Sequence, residues 1–69
     1  MPDIRIGLAA ARINAKLTQA EVASKMHVCK QTILNWEKGR TGPSVSQARQ
    51  LSELYGLPQD LIFFPDKSN

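Results

Sequence analysis

Two amides and two lysines recur at helical spacing in the middle of the chain. Gln31 and Asn35 are four residues apart, Lys38 follows three residues later, and Lys30 comes just before Gln31. At about 100° per residue Gln31, Asn35 and Lys38 fall on one side of a helix, opposite Ile33, and Lys30 lies at the exposed N-terminal tip. An amide can donate to and accept from adenine, and a lysine can donate to guanine. The pattern therefore indicates a surface that could read base edges in DNA.

The charges of the chain are unevenly distributed. Between Arg5 and Arg49 there are eight basic and two acidic residues, whereas from residue 50 onward there are one basic and three acidic residues. The outward side of the predicted helix carries no acid, although a surface that serves only solubility usually mixes glutamate with lysine. A basic body favours a polyanionic partner. On charge alone, a solvated basic surface is the alternative.

The residue types argue against catalysis. The chain has one cysteine, Cys29, and one histidine, His27, so it can form no internal disulfide and no zinc site of the usual kind. We find no nucleophile, base and orienting residue at matching positions, and we expect no enzyme activity, metal or cofactor. Cys29 precedes Lys30 in surroundings that favour a thiolate, so a redox switch is the alternative to an inert cap residue.

No segment predicts membrane insertion. The apolar runs at 8–11 and 61–64 are far shorter than the roughly 18 residues that a membrane span needs. The N-terminus lacks the basic start and apolar stretch of a signal peptide. We therefore expect a soluble, cytoplasmic protein that binds neither membranes nor a small-molecule ligand.

Helix signals divide the 69 residues into one all-α domain with five helices. Apolar periodicity, capping boxes that begin at Thr18 and Ser44, and a terminating Gly39 are the main signals. The fourth helix should carry Val45 and Leu51 on its apolar side, and period-2 strand patterns are nearly absent. The predicted helices are 4–15, 19–26, 30–38, 45–55 and 58–64, within a core of 4–64 and a tail of 65–69.

The second and third predicted helices resemble those of the XRE family, the Cro- and phage-repressor-like helix-turn-helix regulators. The matching segments are LTQAEVA at 17–23, ILNWEKG at 33–39 and PS at 43–44. The ending DLIFFP at 60–65 is similar to that of small bacterial and prophage members. The resemblance implies a compact five-helix, lambda-repressor-like domain. Its second and third helices would form the DNA-binding motif.

The resemblance also implies roles for individual residues. An ion pair between Arg12 and Glu37 would hold the third helix against the first, and loss of one partner would strand the other charge. The remaining roles concern DNA. Base contacts are expected from Lys30, Gln31, Thr32 and Asn35, and phosphate contacts from Gln19, Lys38, Arg40 and Thr41.

Three positions depart from the family pattern. The family usually has glycine at positions 16 and 27, where this chain has Lys16 and His27, and serine where it has Cys29. If position 27 keeps a positive φ, histidine is among the better alternatives to glycine, although it is still strained. We expect the fold to survive these changes with reduced stability.

The last apolar cluster is larger than a small core requires. Half of the cluster at 61–64 (Leu61, Ile62, Phe63 and Phe64) should close the core. The rest, from Leu61, Phe63 and Phe64 together with Ile6 or Ile13, would form a weak homodimer patch. Two-fold pairing would place the recognition helices about 34–36 Å apart on a palindromic site.

These observations predict a sequence-specific, double-stranded DNA-binding transcriptional regulator. We expect a repressor that reads the major groove with helix 30–38. The alternative is a protein-interaction module, such as an antitoxin or the target of an anti-regulator, built on the same fold. Binding to DNA should weaken steeply as salt rises, whereas an apolar protein contact should not.

Overall fold

Four α-helices and two very short strands make up residues 5–65, the part of the chain that this computed structural model describes. The helices predicted over 19–26, 30–38 and 45–55 have these bounds in the structure, so the mostly helical class is confirmed. In chain order the elements are β1 Ile6–Gly7, α1 Leu8–Asn14, α2 Gln19–Met26, α3 Lys30–Lys38, α4 Val45–Tyr55, a 3-10 helix Gln59–Leu61 and β2 Ile62–Phe63.

The prediction of five α-helices is wrong at both ends of the described chain. The first helix begins at Leu8 because Ile6–Gly7 are extended, and Ile4, where we had expected it to begin, lies outside the described residues. In place of a helix over 58–64, the 3-10 helix is followed by β2. The two strands pair in parallel, with Ile6 opposite Ile62.

Local physics favours this ending. A helix over 58–64 would have about two turns, too few to be stable without strong packing. Ile62 and Phe63 are β-branched and aromatic, which suits an extended backbone, and Ile62 is only 1% exposed, so it anchors β2 in the core. Of the predicted tail 65–69, residues 66–69 lie outside the described part of the chain.

Capping boxes begin α2 and α4, as predicted. The Thr18 hydroxyl accepts from the Glu21 amide at 3.0 Å, and the Thr18 amide donates to the Glu21 carboxylate at 2.8 Å. Hydrogen bonding to the Glu21 carboxylate, first from the Thr18 backbone amide and then from the Thr18 side chain, lowers the pKa of Glu21, because it favours the charged form. Ser44 and Gln47 form the equivalent pair for α4. The orientation of both helices is thus set by local sequence.

Among residues 5–65, two non-glycine residues have left-handed backbone conformations. Lys16, which follows α1, has φ 62°, and His27, which joins α2 to α3, has φ 58°. Both are the positions at which the family usually has glycine. The turn between α2 and α3 therefore has a left-handed conformation at His27, which strains an L-residue.

One apolar core joins all four helices to β2. Its largest fully buried side chains are Val22, Ile33, Leu51 and Ile62, and α1 contributes Ala11, which is also fully buried. Val45 does not join them: it is 82% exposed at the start of α4, so its placement on the buried side of that helix was wrong. Within residues 5–65 no helix is long and apolar enough to cross a membrane.

Candidate nucleic-acid interface

The two sides of α3 have opposite environments. On the inner side, Ile33 and Trp36 are 1% and 4% exposed and pack in the core. The outer side is only partly covered by the rest of the described chain. There Lys30, Gln31 and Lys38 are exposed, and Thr32, Leu34 and Asn35 are half-buried.

A hydrogen bond joins the two amides of the outer side. The Gln31 side-chain nitrogen donates to Asn35 Oδ1 at 3.1 Å, across one turn of the helix. The structure thus brings together two of the residues that we predict to read bases. Lys30 lies at the first position of the same helix and Lys38 at its last.

Cys29 begins α3 without capping it through its side chain. Its thiol lies 3.2 Å from the Thr32 hydroxyl, and it is exposed. Hydrogen bonding from Thr32 lowers the pKa of the Cys29 thiol, which favours the thiolate. Among residues 5–65 no three side chains of histidine, cysteine, aspartate or glutamate come together as a metal site would require.

The segment after α3 presents exposed cationic and polar side chains. Gly39 ends the helix with φ 75°, and the Arg40 amide donates back to the Asn35 carbonyl at 3.0 Å. This closure turns the chain sharply at the end of the helix. Lys38, Arg40 and Thr41 are all exposed around that turn.

The structure brings Arg12 and Glu37 together as an ion pair. Arg12 Nε donates to Glu37 Oε2 at 2.6 Å and Arg12 Nη2 to Glu37 Oε1 at 3.4 Å, while Nη1 donates to the Leu17 carbonyl at 3.0 Å. The two side chains are only 15% and 7% exposed. Because the carboxylate accepts from two nitrogens of one guanidinium, the pair fixes the end of α3 against α1.

Gln19, predicted as a phosphate contact, lies beside this pair. Its Nε2 donates to Glu37 Oε1 at 2.9 Å, and its side chain is half-buried. An amide nitrogen has two hydrogens, so one remains for an acceptor outside the protein. No spacing rule in the sequence indicated the Gln19–Glu37 contact, because its partners are separated by 18 residues.

Tyr55 of α4 is the other residue near the pair that sequence reasoning missed. It is 4% exposed. Burial, with the neighbouring negative charge of Glu37 as a smaller cause, raises the pKa of Tyr55 to about 12, and Arg12 opposes the shift. Helical periodicity within α4 does not reveal that this phenol lies near the charges of the ion pair.

The predicted dimer patch is divided between core and surface. Phe64 is half-buried and packs against the core, Leu61 is half-buried, and Phe63 is 46% exposed. The Arg5 guanidinium carbon lies 5.1 Å from the centre of the Phe63 ring, within the range of a cation–π contact. Ile13 on α1 is 63% exposed.

Comparison with known proteins agrees with this architecture. A family model described as "Helix-turn-helix" matches residues 8–61. An uncharacterised helix-turn-helix transcriptional regulator of Methanocaldococcus jannaschii is 35% identical over 51 residues, which are 72% of this chain and 77% of that protein. The transcriptional repressor RstR of the cryptic phage CTXphi, from Vibrio cholerae, is 38% identical over 47 residues. That match spans 68% of this chain but only 42% of the repressor. No solved structure matches the chain at a comparable level of significance.

The fold and the exposed side of α3 define a helix-turn-helix protein, in which α2 and α3 form the motif. The chain belongs to the XRE family of helix-turn-helix proteins, which are DNA-binding transcription regulators.

Proposed function

We propose that the chain is a sequence-specific transcriptional repressor that places α3 in the major groove of double-stranded DNA. The exposed, acid-free outer side of α3 carries this proposal, because a major groove admits a helix of this kind. The similarity to a phage repressor supports the repressor role. The base-reading residues are Lys30, Gln31, Thr32 and Asn35.

Phosphate contacts on either side of α3 would hold it in register. Lys38, Arg40 and Thr41 are exposed at one end of the helix. At the beginning of α2, Gln19 has a free amide hydrogen, and the first backbone amides of the helix favour an anion. These contacts supply affinity that does not depend on base sequence.

Two protomers would bind a palindromic operator as a weak homodimer. Phe63 is the exposed member of the patch that also contains Leu61 and Phe64, and it supports this pairing. The two α3 helices would then lie about 34–36 Å apart, one turn of DNA. A substitution Phe63→Asp should therefore weaken binding to the full operator more than binding to a half-site.

The test is a selection of binding sites from random duplexes, followed by a salt titration of affinity on the selected site. Two cationic phosphate contacts, Lys38 and Arg40, predict that log affinity falls with log salt with a slope of about −1.8 per protomer. The selected sites should also give the spacing of half-sites. A salt-independent affinity, or no enriched sequence, would favour the protein-interaction alternative, which the exposed Ile13 and Phe63 would then serve.

A further inference from the structure

Gln31 and Asn35 are not independent of each other on the outer side of α3. The hydrogen bond from Gln31 Nε2 to Asn35 Oδ1, 3.1 Å long, exists in the protein without DNA. An exposed glutamine side chain that is not held by a neighbour loses rotamer freedom when it binds DNA. The bond therefore fixes in advance which amide atoms the two residues present.

The bond leaves a different set of groups on each residue. Gln31 keeps its Oε1 acceptor and one N–H, whereas Asn35 keeps both hydrogens of Nδ2. The oxygen and nitrogen of an amide lie on opposite sides of its carbonyl carbon. Because the Asn35 oxygen is directed to Gln31, its nitrogen is directed away from that residue. Gln31 thus offers an acceptor and a donor, and Asn35 offers donors.

These two patterns match different base edges. Adenine presents N6–H and N7, which need an acceptor beside a donor, as Gln31 has. Guanine O6 and N7 and thymine O4 only accept, which suits the Asn35 nitrogen, whereas cytosine presents a donor. An asparagine acting alone would read adenine through both amide atoms. The hydrogen bond to Gln31 changes that preference.

We propose that Gln31 and Asn35 form one reading unit, which selects adenine at the base pair facing Gln31 and guanine or thymine at the adjacent base pair facing Asn35. Asn35 has two tasks in this unit: it positions the Gln31 amide and it donates to a base. Thr32 lies between these two residues in the sequence, and its hydroxyl is 3.2 Å from the Cys29 thiol. The inference rests on the proposed function, because it requires α3 to lie in the major groove.

The experiment is a binding-site selection with the full chain and with Gln31→Ala, Asn35→Ala and Asn35→Asp. The unsubstituted chain should prefer adenine, and guanine or thymine beside it, by roughly 5- to 150-fold each. Asn35→Asp keeps an oxygen that accepts from Gln31 but replaces the donor nitrogen with an acceptor. It should retain the preference for adenine and change the adjacent preference to cytosine, although overall affinity falls.

The two alanine variants complete the design. Gln31→Ala should lose the preference for adenine, and Asn35→Ala should lose the adjacent preference and weaken the preference for adenine several-fold. Lys25→Ala, an exposed change on α2, is the matched control and should leave the selected sequence unchanged. Thermal unfolding of each variant shows that the fold is intact, as expected for side chains that do not belong to the core.

Two kinds of result would overturn the inference, and they have different consequences. If the unsubstituted chain selects adenine at both base pairs, or if Asn35→Asp leaves the adjacent preference unchanged, the reading unit is wrong while DNA recognition by α3 stands. If both alanine variants select the same site as the unsubstituted chain, the reading unit also fails, because neither residue reads a base, while sequence-specific binding stands. If no sequence is enriched, the proposed function fails and the reading unit fails with it.

Discussion

The inner and outer sides of α3 differ in what their polar groups do. On the inner side, Glu37 accepts hydrogen bonds from Arg12 and Gln19, so its polar contacts are made within the protein. On the outer side, Gln31 and Asn35 contact each other and leave several donors and an acceptor unused. The inner side of this nine-residue helix thus stabilises the fold, whereas its outer side leaves polar groups available for binding. Substitutions on the inner side should change stability, and substitutions on the outer side should change binding.

The largest expected effect is the loss of the inner ion pair. Arg12→Ala should lower the free energy of unfolding by roughly 3 kcal/mol, because it leaves the nearly buried Glu37 without its cation. Urea denaturation followed by circular dichroism measures this change. The exposed Arg49→Ala is the control and should stay within about 0.5 kcal/mol of the unsubstituted protein.

A double variant separates the charge from the packing. Arg12→Met combined with Glu37→Met removes both charges and should recover much of the stability lost in Arg12→Ala, because an unpaired buried charge costs more than a missing pair. If Arg12→Ala and Arg49→Ala are equally stable, the ion pair contributes nothing to the fold.

The next effect concerns Tyr55, which packs beside the ion pair. Its pKa is raised to about 12, so the folded state favours the neutral phenol. The resulting stabilisation is complete below the unfolded pKa near 10, and it is lost as the pH rises from about 10 to 12. The expected size is on the order of 2 kcal/mol. The measurement is the free energy of unfolding across this pH range, for the unsubstituted protein and for Tyr55→Phe. The difference between them separates the contribution of the phenol from that of the lysines, which titrate in both proteins. Parallel curves for the two proteins would contradict the prediction.

Local signals in the sequence were sufficient for the middle of the fold. The capping boxes at Thr18 and Ser44 each lie within four residues, so their geometry can be read directly from the chain. The pairing of Ile6 with Ile62 could not be read in this way, because two-residue strands have no period-2 pattern and their partners lie at opposite ends of the described chain. Strand pairing of this kind is a tertiary contact, and local propensity does not determine it.

Sequence reasoning likewise found some parts of the candidate site and missed others. Helical spacing alone placed Gln31 and Asn35 on one side of α3 and Ile33 on the opposite side, which the structure buries. The pairing of Arg12 with Glu37 came from family resemblance, since nothing in a separation of 25 residues indicates contact. The contact of Gln19 with the same carboxylate was missed because the residue was assigned a single role.

Among the proposed phosphate contacts, those made by charge and those made by hydrogen bonding can be distinguished by the dependence of affinity on salt. Lys38→Ala should reduce the slope of log affinity against log salt by about 0.9, because one cationic phosphate contact is lost. Gln19→Ala should weaken binding to all sequences by about 1 kcal/mol with the slope unchanged, because an amide releases no counterion. Fluorescence anisotropy at several salt concentrations measures both. Lys25→Ala should match the unsubstituted chain in slope; a loss of slope there equal to that of Lys38→Ala would mean that no specific clamp exists at the end of α3.

The smallest effect concerns the turn that joins the motif's two helices. His27 has φ 58°, a conformation that costs an L-residue energy and costs glycine little. His27→Gly should therefore raise the free energy of unfolding by about 1 kcal/mol, with no change in the selected DNA sequence, because His27 lies on neither side of α3. Ser24→Gly is the matched control: it places glycine inside α2 and should destabilise by about 1 kcal/mol. Thermal unfolding midpoints of the two variants should thus move in opposite directions. If both midpoints fall, the left-handed turn at His27 carries no strain that glycine relieves.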